Sequence, residues 1–121
     1  MTSRQELTQK KCQPCEGIGK PLSKDQVSVL IKNVPQWKLG ADGRSISLKL
    51  AMKNFVAAVR LINQIAELAE KDNHHPDIHL SGYRNLTVEL STHALGGLSE
   101  NDFILAAKID TLPAELKSGA A

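Results

Sequence analysis

The hydrophobic period changes abruptly in the middle of the chain. Ile46, Leu48, Leu50 and Met52 alternate with Ser45, Ser47, Lys49 and Ala51. A period of two sets one side of an extended segment on a core and leaves the other mostly polar. Directly afterwards Phe55, Val59, Ile62, Ala66 and Ala69 follow a helical spacing, with Leu61, Ile65 and Leu68 as a second stripe beside them. A strand that runs straight into a long amphipathic helix must lay that helix on a sheet. The helix's apolar arc is wider than a small sheet requires. Either the sheet wraps it, or a second subunit covers the surplus and the protein is an oligomer.

The flanking segments extend this pattern. In "PLSKDQVSVLIKNVP", Ser23 and Gln26 form a capping box, and Leu22 and Val27 a hydrophobic staple. Val27, Leu30, Ile31 and Val34 give one apolar stripe, and Pro35 ends the helix. "QWKLGADGRSISLKLAM" reads as a hairpin, with Trp37 and Leu39 alternating before the Asp42-Gly43 turn. After Pro76, Ile78 and Leu80 alternate with His79 and Ser81, and Leu86, Val88 and Leu90 mark a fourth strand. "GGLSENDFILAAKIDTLP" repeats the first helix's grammar, with Ser99 as cap, Asp102 three residues later, and Leu98 and Phe103 as staple. The order is α-β-β-α-β-β-α. The expected fold is α+β, a single four-stranded antiparallel sheet with helices packed on one face. The βαβ repetition of a dinucleotide-binding unit is missing.

The chain has 121 residues, one domain by size. Residues 1–20 read as a flexible N-terminal arm with a CxxC, 21–113 as the folded domain, and 114–121 as a flexible C-terminal tail. Net charge is +2, which gives no field for nucleic acid. No apolar run approaches the roughly 20 residues that span a membrane. "MTSRQELTQKK" lacks the apolar stretch of a secretory leader, so a cytoplasmic protein is expected. Cys12 and Cys15 are the two cysteines. A zinc site needs about four ligands and no second CxxC exists. Reduced, exposed thiols in the arm are the first reading, with metal or redox work as alternatives.

The stretch "EKDNHHPDIHL", residues 70–80, holds three of the chain's four histidines. His74 and His75 fall where the long helix ends, because Pro76 disfavours helical geometry at His75. Imidazole suits proton transfer near neutral pH, so a pair of acid–base groups on a rigid helix end is one reading. A metal reading draws on His74, His75, His79 and His93 with Asp72 or Asp77. It is weakened because Pro76 breaks the helix between His75 and His79 and that gap lacks glutamate. A solvent-exposed pair is the plain alternative.

The run Glu70-x-x-x-His74-His75-Pro76, followed by Tyr83, "STH" at His93 and "GLSEND" at Asp102, resembles the signature of the pterin-4a-carbinolamine dehydratases. The resemblance spans roughly Leu22 to Pro113. It implies a 4a-hydroxytetrahydrobiopterin dehydratase, a hydro-lyase that expels water to give quinonoid dihydropterin. It implies a pterin substrate supplied by an aromatic amino acid hydroxylase, with no metal and no cofactor. It places His74, His75 and His93 in the pocket, His74 and His93 handling protons and His75 binding the ring. Pro76 would aim the pair, Asp102 orient an imidazole, Tyr83 pack a pocket wall, and Glu70 stand behind the site. His79 falls outside the motif and reads as solvated. Many relatives carry tryptophan where this chain has Ile78, and its single tryptophan is Trp37. The resemblance also implies a homo-oligomer, tetramer or dimer. Some members also serve as dimerisation partners of a transcription factor, the alternative role for the long helix.

Overall fold

The computed structural model describes residues 4–12 and 19–118. The elements, in chain order, are α1 (Arg4–Gln9), α2 (Lys24–Leu30), β1 (Lys38–Leu39), β2 (Ile46–Ala51), α3 (Phe55–Asp72), β3 (Asp77–Ser81), β4 (Asn85–Leu90) and α4 (Glu100–Asp110). Short 3-10 turns at Ile31–Asn33 and His93–Leu95 follow α2 and β4. From α2 onward the order is the α-β-β-α-β-β-α of the sequence reading, and α1 precedes it.

The strands form one four-stranded antiparallel sheet in the order β1-β2-β4-β3. Ile46, Leu48, Leu86, Val88 and Leu90 turn to the helix side and are buried. Leu61 and Ile65 of α3 and Phe103, Ile104 and Leu105 of α4 share that core. Burying each such side chain contributes about 1.5–3 kcal/mol before chain entropy is charged. Thr87, Glu89, Lys49 and Ser47 fall on the opposite face by strand alternation. Helix starts follow their caps. Ser23 and Gln26 close a capping box on α2, and Asn54 Oδ1 accepts from the Ala57 backbone N–H at 2.8 Å on α3.

Four details depart from the sequence reading. Residues 4–12 are not a free arm: α1 packs on α4, and Leu7 and Cys12 are buried. A leucine and a thiol that find an apolar seat on a neighbouring helix leave water for it. Cys12 is therefore a buried thiol, not an exposed one, and Cys15 lies outside the described residues. The tail from 114 is held as far as Lys117, with Lys53 N–H donating to Glu115 O and Lys117 N–H to Ala51 O, both at 2.8 Å. Residues 119–121 lie outside the described residues. The first strand is two residues long and excludes Trp37, whose buried ring donates Nε1–H to Asp110 Oδ1 at 2.9 Å. Leu39, expected on the core, is 47% exposed.

The long helix divides its apolar arc. Ala57, Ala58, Leu61, Ile65 and Ala69 are buried. Phe55 and Val56 are 53% and 62% exposed. Phe55 and Val56 at the start of α3 are left outside the subunit's own core, while Ile62 packs against that core.

Candidate active site

The histidine pair is split by the way α3 ends. Asn73 adopts the left-handed conformation, with φ of 50°. Asparagine tolerates that region better than most residues, because its short side chain bonds locally. The His74 N–H then reaches back to Ala69 O at 3.1 Å, and the Asn73 N–H to Glu70 O at 3.4 Å. This is the bonding pattern of a Schellman terminus. It turns His74 inward against α4 and sends His75 outward, and Pro76 extends the chain into β3.

His74 is buried, and its Nε2 lies 2.6 Å from Asp102 Oδ1. Asp102 is fully buried at the first turn of α4. Its Oδ2 accepts from Thr92 Oγ1–H and from the Ser99 backbone N–H, each at 2.9 Å. Thr92 spends its one proton on Asp102, so the Ser99 hydroxyl donates to Thr92 Oγ1 across 2.8 Å. A carboxylate with those donors, at a helix N-terminus, is held as an acceptor. The proton between it and His74 therefore sits on Nε2, which leaves Nδ1 as the basic nitrogen of the neutral ring.

His75 is exposed, with Nε2 2.5 Å from Glu70 Oε2 one turn back on α3. His74 and His75 thus answer to different carboxylates. Among the described residues, no group of three or more His, Cys, Asp and Glu side chains is arranged to hold a metal ion.

His93 opens the turn after β4. Its Nε2 lies 3.4 Å from Ser91 Oγ. It lines a cleft of about 260 Å³ with Arg44, Ser45, Glu89, Ser91 and Gly97. Asp77 pairs with Glu89. That pair is the last of the β3–β4 ladder, with His75 two residues before Asp77 and Ser91 two residues after Glu89. His75 and His93 therefore reach the same end of the sheet's outer face, and Thr92 ties that end to Asp102 and His74 beneath. A larger hollow, about 500 Å³, lies between α2 and the turn at 39–43. Its lining carries Lys24 and Lys32 but no imidazole, so the candidate chemistry is in the smaller cleft.

One expected residue stands apart, and His79 is solvated as read from the sequence. Tyr83 sits in the β3–β4 turn with φ of 56°, exposed, its ring 5.2 Å from the Arg84 guanidinium carbon. It is at the opposite end of β4 from His93, roughly 30 Å away along the chain at strand rise. It cannot wall this subunit's cleft. His79 is exposed beside Thr87 on the outer face. Pro76 stands between His75 and β3. Thr92 and Ser91 escaped the sequence reading as site residues. A signal for Thr92 was present: alternation puts it on the core side with Leu90, where a hydroxyl needs a partner.

Among the described residues, no helix is long and apolar enough to cross a membrane. The model of one protein family, "Pterin 4 alpha carbinolamine dehydratase", matches residues 20–112. A candidate pterin-4-alpha-carbinolamine dehydratase of Halorhodospira halophila is 44% identical over 89% of this chain and 98% of its own length. Pterin-4-alpha-carbinolamine dehydratase 2, mitochondrial, of Arabidopsis thaliana is 39% identical over 91% of this chain and 60% of that protein. The crystal structure of a transcriptional coactivator/pterin dehydratase from Brucella melitensis matches with a TM-score of 0.70 and 26% identity, over 75% of this chain and 96% of the other.

Proposed function

The chain belongs to the pterin-4a-carbinolamine dehydratase family, a family of hydro-lyases, and from that premise we propose that it dehydrates 4a-hydroxytetrahydrobiopterin by histidine acid–base catalysis. One observation supports the reading above others. A buried, fully bonded carboxylate, Asp102, lies 2.6 Å from His74 Nε2, and Thr92 links it to the strand end where a second imidazole, His93, lines a cleft.

The reaction needs two proton transfers. A base removes the proton on ring nitrogen 5. That nitrogen's electron pair forms the double bond to carbon 4a, and the carbon–oxygen bond breaks. An acid protonates the departing hydroxyl, which leaves as water. Asp102 stabilises positive charge on His74, so His74 takes the proton through Nδ1. His93, in the open cleft, donates to the hydroxyl. His75, oriented by Glu70, binds the ring. Each positioned acid–base group accounts for roughly 10² to 10⁴-fold. The substrate is the product of an aromatic amino acid hydroxylase.

The exposed Phe55 and Val56, with Val59 beside them, support assembly through α3. A second copy covering this face gives a homo-oligomer, dimer or tetramer. The same face is what a transcription-factor partner would use in the alternative reading, as a protein-binding module. The activity is tested by stopped flow, generating the carbinolamine in place with a hydroxylase. Its decay accelerates with added protein under the dehydratase reading. An unchanged decay leaves the binding module as the better account.

A further inference from the structure

The buried cysteine has no part in the reaction, yet it touches both flanks of the acid–base pair. Cys12 Sγ–H lies 3.5 Å from Asn101 O, the carbonyl of the residue before Asp102. The carboxylate of Asp72, two residues before His74, lies close enough for its negative charge to act on the same thiol. Asp72 is itself buried and takes Lys108 Nζ–H at 2.7 Å. The seam between the end of α3 and α4 is therefore tied at two levels, Asp72 to Lys108 and His74 to Asp102, and Cys12 closes the seam from outside. The strap that brings it there is anchored by Leu7 in the core and by Lys10 Nζ on Glu100 at 3.1 Å. The family match begins at residue 20, so Leu7, Lys10 and Cys12 lie outside it.

We propose that Cys12 is a positioning residue for the His74–Asp102 pair: its thiol donates to Asn101 O at the first turn of α4 while lying beside Asp72, and so packs the end of α3 against α4. The Schellman terminus that aims His74 follows directly on Asp72, so a loosened Asp72 carboxylate loosens the exit of His74. The role depends on the thiol remaining a donor. Burial, followed by the negative charge of Asp72, pushes the Cys12 pKa up from the ordinary 9.0 to about 12, with Asp102 adding to the rise and Lys108 opposing it. Cys12 is protonated across the neutral range, in contrast to the depressed thiols of redox and nucleophilic sites.

The activity part of this inference rests on the dehydratase reading, so the test reads the pair directly as well. Cys12→Ser keeps a donor at similar size, and Cys12→Ala removes it. Cys12→Thr and Cys12→Val repeat the comparison at larger volume, should the smaller pair fold poorly. The first readout is the lifetime of the His74 Nε2 proton against exchange with water, by proton NMR. The second is kcat and KM for the carbinolamine. In Cys12→Ala the proton exchanges at least about tenfold faster, because a loosened site opens more often. Its kcat falls by about three- to tenfold at nearly constant KM, within the range a small misplacement costs. Cys12→Ser stays near the parent in both. Unchanged proton lifetimes in every variant would overturn the proposal. So would Ser and Thr behaving worse than Ala and Val, the order expected if Cys12 only fills space. A faster exchange in Cys12→Ala with unaltered kcat keeps Cys12 as the pair's positioning residue and removes His74 from the chemistry.

Discussion

Asp102→Asn is the substitution whose outcome the geometry constrains most. The carboxylate takes a bond from His74 on Oδ1 and bonds from Thr92 and the Ser99 backbone on Oδ2. An asparagine of the same shape has one oxygen and one amide nitrogen. Two donors crowd the Oδ2 side, so the oxygen stays there and the amide N–H faces His74. His74 Nε2 must then accept, its proton moves to Nδ1, and the nitrogen that takes the substrate's proton is blocked. The Ser99 and Thr92 bonds survive, which limits the stability loss to about 1–3 kcal/mol, the cost of one buried charge-assisted bond. For a domain of about 100 residues, that is a fall in Tm of roughly 4–8 °C for each kcal/mol. The catalytic loss is larger, at least about 10²-fold in kcat, since the tautomer is wrong rather than the fold. Stopped-flow decay of the carbinolamine gives kcat, and a thermal melt gives the stability. A folded Asp102→Asn protein within threefold of the parent kcat would refute tautomer control by Asp102.

The exposed histidines separate by role. His75→Ala raises KM with kcat nearly kept, as expected for lost uniform binding, while His79→Ala changes either parameter by less than about threefold; steady-state kinetics on both variants checks this, and an equally damaging His79→Ala would contradict the placement of the site. Sedimentation at micromolar concentration finds the parent assembled, and Val56→Glu shifts it toward monomer by burying a charge in the contact; a parent that runs as a clean monomer would contradict the α3 interface.

Local patterns carried much of this fold. The switch from period two to helical spacing around Met52, the caps at Ser23 and Ser99, and the inward set Leu86, Val88 and Leu90 are all decided by neighbours in sequence. The candidate site was legible in part for the same reason: His74, His75 and Pro76 are contiguous, and Asp102 stands three residues after the cap Ser99. The inward turn of His74 was not legible, because it depends on Asn73 adopting a left-handed conformation that many residues near a helix end do not adopt. Cys12 was misplaced because its seat is built by Asp72 and Asn101, far along the chain, and no local period reports such a contact. Leu39 and the pairing of Lys117 with Ala51 failed similarly, through tertiary placement overriding a local pattern.

The central claim is that His74 and His93 act as one acid–base pair on one substrate. The most direct measurement is the single-turnover rate of carbinolamine decay for His74→Ala, His93→Ala and the double variant, at matched stability. Groups that act as a unit are strongly non-additive. The account predicts that each single variant loses at least about tenfold and that the double variant is little slower than the worse single one. Losses that multiply in the double variant would contradict it, because the two imidazoles would then be acting independently.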